Sequence, residues 1–173
     1  MALFVLAYPD LPQSDLDWLG SIRAEHDPLH TVVRPHVTLV FGVRDVAVDT
    51  LTDHVRGITR DARAIRVAFR CASVVRDVLS DQTGVFLVPD EGNAALIRLH
   101  DRLYTGPLAS QLRLDVPYIP HITVGMARDS LVCKGLADAL NERAFLLAGS
   151  IDAIDVVSFE AGRVETLARV SLG

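Results

Sequence analysis

Hydrophobic and polar residues follow two spacings along the chain, and together they predict a mixture of helices and strands. In some segments apolar side chains recur every three or four residues, as on one face of a helix. In others they alternate with polar ones or form short apolar runs, as in strands. The predicted helices are residues 13–22, 49–62, 93–104 and 129–147. The predicted strands are residues 2–8, 36–43, 65–71, 84–89, 121–126, 150–159 and 163–172, and residues 107–120 are predicted to form a linker or an irregular edge.

The predicted strand at residues 65–71 shows the alternation most clearly. Its polar face carries Arg66 and Arg70, which would be free to line a cleft if this face of the sheet were open. Its apolar face carries Ile65, Val67, Phe69 and Cys71.

The order of the predicted elements repeats in the two halves of the chain. Each half has a helix, then a strand that begins Pro-His-(Val/Ile)-Thr, then a second helix and further strands. The motif occupies residues 35–38 and again residues 120–123, so the two copies lie 85 positions apart. This period is too long for a solenoid repeat. We therefore expect an internal duplication that produces two similar lobes facing each other.

The His and Thr of each motif should share one face of their strand, because successive side chains point to opposite faces. His36 and Thr38 would project together from one strand, and His121 and Thr123 from the other. If the lobes pair with pseudo-twofold symmetry, two imidazoles and two hydroxyls converge on one cleft. The opposite face is apolar and is predicted to pack on the helices through Val37, Leu39, Phe41, Ile122, Val124 and Met126.

Two imidazoles and two hydroxyls suit the displacement of an oxygen at a phosphodiester. The reaction needs a base for the attacking group and an acid for the leaving oxygen. Histidine titrates near neutral pH, so one ring can be neutral while its twin is protonated. Threonine hydroxyls can donate hydrogen bonds to the non-bridging oxygens. Such a site requires neither a metal nor a cofactor, and its pH profile would be a bell around the ordinary histidine pKa of about 6.5.

Composition and charge narrow the range of partners. The chain has 173 residues, of which 50% are hydrophobic and 23% charged, as in globular domains. Its net charge of −5 disfavours binding along a nucleic-acid backbone but permits a small anionic ligand or an RNA end. The apolar residues at the start form too short a run for a signal peptide or a membrane span. We expect a monomer with no membrane partner and no long double-stranded nucleic acid.

The two cysteines, Cys71 and Cys133, show neither metal-ligand spacing nor a disulfide framework. This usage is typical of an intracellular protein, so we expect a cytoplasmic one.

The two motif segments, residues 35–42 and 120–125, resemble the paired signatures of the 2H phosphoesterase superfamily, in particular its bacterial 2′-5′ RNA ligase-like branch. The resemblance covers nearly the whole chain. It implies a bilobal, pseudo-twofold duplicated α+β fold in which two antiparallel sheets face a central cleft and helices lie outside. Residues 1–173 would then form a single domain built from two similar lobes. It also implies that the catalytic residues are His36, Thr38, His121 and Thr123.

Relatives of this kind act without metal on 2′,3′-cyclic phosphates, 2′-5′ linkages or ADP-ribose cyclic phosphate. The resemblance therefore implies a cyclic phosphodiesterase that opens the 2′,3′-cyclic phosphate of a nucleotide or an RNA end. One histidine would activate water and the other would protonate the departing ribose oxygen. Many RNA-directed relatives have the pattern His-x-Thr-hydrophobic-x-Arg, whereas Met126 occupies the last position in this chain. This departure concerns specificity for an RNA end and not the chemistry.

Four further residues are candidates for binding the rest of the substrate, and each also has a plain structural interpretation. Tyr118 precedes the second motif and could stack on a base or pack in the core. Arg128 could reach a phosphate or flank a helix start, and Arg66 and Arg70 could line the cleft or be solvated. The histidines outside the motifs are predicted to be solvated or packed: His26, His30, His54 and His100.

Two other functions fit the same motifs. The four polar groups could bind a divalent metal, although no carboxylate accompanies them on the predicted cleft face and threonine is a poor ligand. Alternatively, the cleft could hold a nucleotide or an RNA end without turning it over. A chelator would distinguish the first alternative, and incubation with a cyclic phosphate the second.

Overall fold

The computed structural model describes residues 1–78 and 80–173, in which strands and helices alternate along the chain. The strands are β1 (Ala2–Ala7), β2 (Val37–Val43), β3 (Ile65–Arg76), β4 (Thr83–Glu91), β5 (Ile122–Ala127), β6 (Leu147–Ile151), β7 (Ala153–Glu160) and β8 (Arg163–Ser171). The helices are α1 (Gln13–His26), α2 (Val48–Thr59), α3 (Asn93–Leu103) and α4 (Ser130–Asn141), with a 3₁₀ helix at Gly106–Gln111. The α+β class predicted from the sequence is confirmed.

The strands within the described ranges pair into one antiparallel sheet in the order β6-β3-β4-β5-β2-β1-β7-β8. The two motif strands, β2 and β5, lie at its centre and are joined by one register pair, Val37 opposite Ile122. Each is paired more extensively with its outer neighbour, β2 with β1 and β5 with β4. The sequence led us to expect two separate sheets. The β2–β5 pairing instead joins two four-stranded halves into one sheet.

The helices pack on one face of the central strands. Val37 and Leu39 of β2 and Ile122 and Val124 of β5 are fully buried there. Helix α3 packs on β2 and helix α1 on β5, so each helix packs on the motif strand of the other half of the chain. Burial of such a side chain contributes roughly 1.5–3 kcal/mol, which fixes both strands from the helix side. The other face of the two strands remains for the polar residues of the motifs.

Strand β3 is longer than predicted and changes its register along the way. Its pairing with β4 shifts between Phe69 and Ala72, which marks a β-bulge. The bulge buries Ala72 and leaves Cys71 exposed, so the prediction that Cys71 lies on the apolar face is wrong. The side-chain amide of Asn141 binds both the N–H and the carbonyl of Ala72, which satisfies backbone groups that the bulge withdraws from the ladder.

The end of the chain also differs from the prediction. Helix α4 begins where expected, since the Asp129 carboxylate accepts the N–H of Leu131 as an N-cap. It ends at Asn141, however, and the following residues form β6 along β3 rather than a longer helix. These residues form a strand because they pair with the edge of β3, and local periodicity cannot predict such a long-range pairing. Among the residues that the structure describes, no helix has both the length and the apolar character needed to cross a membrane.

Candidate active site

The antiparallel pair at the centre of the sheet brings the two motifs together. With Val37 opposite Ile122, the residues before and after each of them also lie across from each other. This geometry brings His36, just before β2, toward Thr123, and His121, just before β5, toward Thr38. In a regular antiparallel pair, directly opposed Cβ atoms are about 5 Å apart. The two motif strands thus run side by side in opposite directions at the centre of the sheet.

Both motif strands contain a β-bulge directly after the threonine. The pairing of β1 with β2 passes from Leu6–Thr38 to Val5–Val40, which leaves Leu39 as an extra residue. The pairing of β4 with β5 passes from Phe86–Thr123 to Val85–Gly125, which leaves Val124 as the extra residue. An extra residue shifts the alternation of faces by one position. The third residue after each threonine therefore turns toward the cleft.

Phe41 and Met126 are these third residues, and both line the cavity beside His121. The prediction that they face the helices is wrong, because strict alternation does not survive the bulges. Met126 is thus a wall of the cavity at the position where many RNA-directed relatives carry arginine.

In the part of the chain that the structure describes, two cavities adjoin the histidines and threonines of the motifs, and they share Thr38. The first has a volume of about 310 Å³ and contains both threonines and His121. The second has a volume of about 230 Å³ and contains His36. The first is further lined by Phe41, Val75, Arg76, Asp77, Val78, Phe86, Val116, Pro117, Ile119 and Met126. The second is further lined by Phe4, Leu6, Leu29, Val32, Val33, Phe159 and Val164.

The two motif histidines are held by the same backbone contact. Nδ1 of His36 lies 2.8 Å from the carbonyl oxygen of Arg34, and Nδ1 of His121 lies 2.6 Å from that of Ile119. A carbonyl oxygen only accepts, so Nδ1 carries a proton and donates it in both rings. Nε2 is then the nitrogen that gains or loses the titrating proton in each.

Burial lowers the pKa of both imidazoles. Desolvation is the main cause for His121, and with a smaller contribution from the positive charge of His36 it brings the pKa of His121 to about 4. Desolvation also lowers the pKa of His36, against the opposing effect of its bond to the Arg34 carbonyl. A positive charge on His36 therefore disfavours a second positive charge on His121.

The rings differ in their aromatic neighbours. His121 stacks face to face on Phe86, with ring centroids 3.6 Å apart and planes 10° from parallel. His36 has Tyr8 at a centroid distance of 6.1 Å and a tilt of 58°. The guanidinium of Arg34 lies 4.2 Å above the Tyr8 ring. The two histidines therefore make the same backbone hydrogen bond but have different aromatic neighbours.

Tyr118 contacts the backbone of β2 and is not among the residues that line the two cavities. Its hydroxyl donates to the carbonyl of Thr38 at 3.1 Å, and burial raises its pKa. Its ring stacks on His100, whose Nδ1 donates to the carbonyl of Leu39 at 2.8 Å. Together they hold the bulged segment of β2, and a direct role of Tyr118 toward substrate stays a prediction.

The arginines proposed from the sequence are not brought to the motifs. Arg66 is 85% exposed and lies 3.5 Å from Glu91. Arg70 is held by Asp90 at 2.5 Å. Arg128 is exposed as well, and none of the three is among the residues lining the two cavities.

Sequence reasoning missed the residues that surround the second motif. Phe86 and Arg76 belong to β4 and β3, and both line the cavity beside His121. Arg76 is also paired with Asp81 at 2.6 Å. The alternation of residues 65–71 stops at the bulge, so no sequence signal extended β3 as far as Arg76. Within residues 1–78 and 80–173, no group of three or more His, Cys, Asp or Glu side chains is arranged to hold a metal ion.

The protein has an α+β fold in which the two strands that carry the Pro-His-x-Thr motifs pair at the centre of the sheet. Comparison with known proteins identifies its family. The model of the 2′-5′ RNA ligase superfamily matches residues 10–163. The chain therefore belongs to this superfamily, which the sequence motifs had indicated under the name 2H phosphoesterases.

Individual relatives agree with this assignment. A protein of Geobacillus sp. (strain WCH70), named "Putative phosphoesterase", is 28% identical over 111 residues, which cover 63% of this chain and 61% of that protein. The alignment thus spans less than two thirds of that relative. The crystal structure of TT0787 from Thermus thermophilus superposes with a TM-score of 0.65 at 17% identity and covers 99% of this chain and 98% of that one.

Escherichia coli LigT in its apo form superposes with a TM-score of 0.62 at 21% identity, covering 99% of this chain and 96% of that one. LigT has also been crystallised with 3′-AMP, ATP and NADP+. At these identities the solved structures establish a shared fold.

Proposed function

We propose that this protein opens 2′,3′-cyclic phosphates of a nucleotide or an RNA end by acid-base catalysis with His36 and His121, and that it also acts on 2′-5′ linkages. The observation that carries the proposal is the register of β2 and β5. One pair, Val37 opposite Ile122, joins the two motif strands, and Thr38, Thr123 and His121 line one cavity while His36 lines the adjoining one. Membership of the 2′-5′ RNA ligase superfamily supports the same chemistry.

The proposed reaction transfers two protons at Nε2 atoms. One neutral imidazole takes a proton from water through Nε2 while the water oxygen forms a bond to phosphorus. The other imidazole, protonated, gives its Nε2 proton to the ribose oxygen as the bond between that oxygen and phosphorus breaks. The product is a phosphate monoester, and the histidine pair ends with one proton, as it began. The Nδ1 bonds to Arg34 and Ile119 hold each ring throughout.

Thr38 and Thr123 serve the non-bridging oxygens in this proposal. Each lies across the strand pair from a motif histidine, so its hydroxyl is close to where the phosphate would sit between the rings. A hydroxyl can donate to an oxygen that becomes more negative in the transition state. The two threonines would then stabilise the developing charge from two sides, with no step assigned to a metal.

The larger cavity favours a nucleoside as the non-reacting part of the substrate. Its walls include Phe41, Phe86 and Met126, which offer apolar and aromatic surface, and Arg76 is its cationic member. Complexes of the structurally similar LigT with 3′-AMP, ATP and NADP+ support a nucleotide ligand here. Residues 1–173 would act as one domain, in which each lobe contributes one motif to a shared cleft.

A substrate panel followed by phosphorus NMR tests the proposal. The panel contains 2′,3′-cyclic nucleotides, RNA ending in a cyclic phosphate, 2′-5′ oligoadenylate and ADP-ribose 1″,2″-cyclic phosphate. We expect conversion of the cyclic phosphate signal to a monoester signal at a rate unchanged by EDTA. Binding of these ligands with no turnover would instead identify a non-catalytic nucleotide or RNA-end binding module. Activity that is lost with EDTA and restored by a divalent metal would identify a metal-dependent enzyme.

A further inference from the structure

Among the described residues, Phe86 has the aromatic ring that lies nearest to a motif histidine. Its ring lies face to face with the imidazole of His121 at a centroid distance of 3.6 Å and an angle of 10°. The strand register explains this position, because Phe86 pairs with Thr123, two residues after His121. The ring therefore covers one face of the imidazole while the Nδ1 bond to Ile119 holds its edge.

Gly84 provides the space in which the Phe86 ring sits. A Cβ atom at Gly84 would overlap Cε1 of Phe86 and would lie 3.0 Å from its Cζ. The backbone of Gly84 is not in the left-handed region, so the missing side chain and not the conformation is what matters there. Gly84, Phe86 and His121 thus form a stack in which each member sets the position of the next.

The first motif lacks an equivalent stack. Leu6 pairs with Thr38 in the position that Phe86 takes beside Thr123. The ring nearest His36, that of Tyr8, is tilted by 58° at 6.1 Å. One face of the His121 imidazole is therefore fixed by a planar neighbour, and the His36 imidazole has no such support from the residue opposite its threonine.

We propose that Phe86, seated over Gly84, is a positioning residue that holds the imidazole of His121 in a single orientation for proton transfer. This inference rests on the proposed function, since it assigns Phe86 a part in the same acid-base reaction. The stack leaves rotation about the side-chain bonds of His121 little room, and the Nδ1 bond fixes which nitrogen titrates. Proton transfer is sensitive to such placement, because a displacement of about 1 Å can cost about 100-fold in rate.

The first test is NMR of the histidine rings and needs no substrate. Phe86→Leu places at this position the residue type that Leu6 provides opposite Thr38. In this variant we expect the signals of the His121 ring protons to lose the shielding of a stacked ring and to shift at a different pH in a titration. The His36 signals should move much less. Phe86→Tyr keeps the ring and should keep the wild-type His121 signals. Unchanged His121 signals in Phe86→Leu would overturn the proposal.

The second test is kinetic and uses the best substrate of the panel. Phe86→Leu should lower kcat by about 10–100-fold, with a smaller change in KM and an altered limb of the pH profile. Gly84→Ala should act in the same direction, and adding it to Phe86→Leu should cause no further loss, because its effect passes through the ring. Additive losses, or a loss confined to KM, would contradict a positioning role.

Gly42→Ala is the matched control for the NMR test. A Cβ there would lie 2.8 Å from Cζ of Phe4, so this variant also displaces a phenyl ring, but one stacked on no histidine. It should leave the His121 signals in place. If the wild type shows no turnover, the proposed function fails on its own, while the NMR comparison still decides whether Phe86 positions His121. If Phe86→Leu does not fold, the NMR test is made on Gly84→Ala, whose new Cβ displaces the Phe86 ring. Unchanged His121 signals in that variant overturn the proposal.

Discussion

His36 and His121 share a tautomer because each donates Nδ1–H to the carbonyl two residues earlier. This hydrogen bond is local to each Pro-His-x-Thr motif, and the motif alone was enough to predict both histidines as candidate site residues. The difference between their surroundings could not be predicted, because it comes from Phe86 on β4 and from Tyr8, which directly follows β1. At the residue scale the sequence therefore predicts the candidate reactive groups, and the tertiary fold sets their environments.

Replacing either histidine should abolish most of the activity. His36→Ala and His121→Ala each remove a proton carrier, and general acid or base catalysis is typically worth about 10²–10⁴-fold. We expect losses of this size in kcat on a 2′,3′-cyclic nucleotide, measured by phosphorus NMR. His54→Gln is the control, since His54 lies on α2 and bonds to the carbonyl of Leu103. Full activity in either motif variant would refute the paired mechanism.

The pH profile should be a bell displaced to the acid side of the ordinary histidine pKa. The active free enzyme carries one proton on the pair, so kcat/KM falls when both rings are neutral and when both are protonated. Burial lowers the pKa of both rings and brings that of His121 to about 4, so the maximum should lie below pH 6.5. The anionic substrate favours the imidazolium, and the profile of kcat should therefore lie at higher pH than that of kcat/KM. A flat profile, with chemistry shown to be rate-limiting, contradicts this expectation.

The threonine hydroxyls should contribute to the rate and little to the fold. Thr38→Val and Thr123→Val keep the side-chain shape, and valine suits a strand. Loss of one donor to the developing charge should cost about 2–4 kcal/mol in kcat/KM. Circular dichroism and thermal unfolding serve as the control for structure. Unchanged rates in both variants would reduce the threonines to strand-forming residues.

At the scale of single elements, the two bulges decide which side chains line the site. The sequence predicts β2 and β5 correctly as strands, but alternation places Phe41 and Met126 on the wrong face. The extra residues, Leu39 and Val124, become recognisable only from the pairing with β1 and β4. A bulge depends on how two strands meet, and a single apolar strand such as β2 contains no local sign of it.

Met126→Arg should change substrate preference. The bulge directs this position into the cavity beside His121, where an arginine can meet a second phosphate. We expect kcat/KM for a short RNA with a cyclic phosphate end to rise by about 10-fold relative to that for a cyclic mononucleotide. Met126→Leu, which conserves volume, should leave the ratio unchanged. An equal effect of Met126→Arg on both substrates would show that this wall does not select among them.

For the molecule as a whole, the paired strands β2 and β5 contribute both to the buried core and to the candidate active site. The order of helices and strands was largely predictable from periodicity, and the duplication was inferred from the repeated motif. The joining of β2 and β5 into one sheet was not predictable, since it depends on the single pair Val37–Ile122. The single strand predicted at residues 150–159 is wrong as well, because this segment contains the end of β6 and most of β7. The division depends on long-range pairing, of β6 with β3 and of β7 with β1 and β8.

Ile122→Ala should destabilise the fold and disturb the site together. Ile122 is fully buried, and truncating such a side chain typically costs about 2–5 kcal/mol in the free energy of unfolding. Urea unfolding measures this loss. Activity under conditions where the variant remains folded should also fall, because the pair that Ile122 forms with Val37 sets the distance between the motifs. Ile151→Ala, also fully buried but on the edge strand β6, should lose stability without the additional loss of activity.

The antiparallel pairing of the two motif strands has a consequence for the choice of product. In the proposed reaction a cyclic phosphate could be seated in either of two orientations between the two histidines, and the orientation decides whether the 2′ or the 3′ oxygen departs. The two motifs share a sequence pattern and a backbone contact, and these shared features alone do not distinguish the outcomes. The unequal chambers on either side would, since one holds about 310 Å³ beside His121 and the other about 230 Å³ beside His36. In the proposed reaction, regioselectivity would therefore be a property of the walls, and reshaping one chamber should exchange a 2′-monoester for a 3′-monoester with both motifs intact.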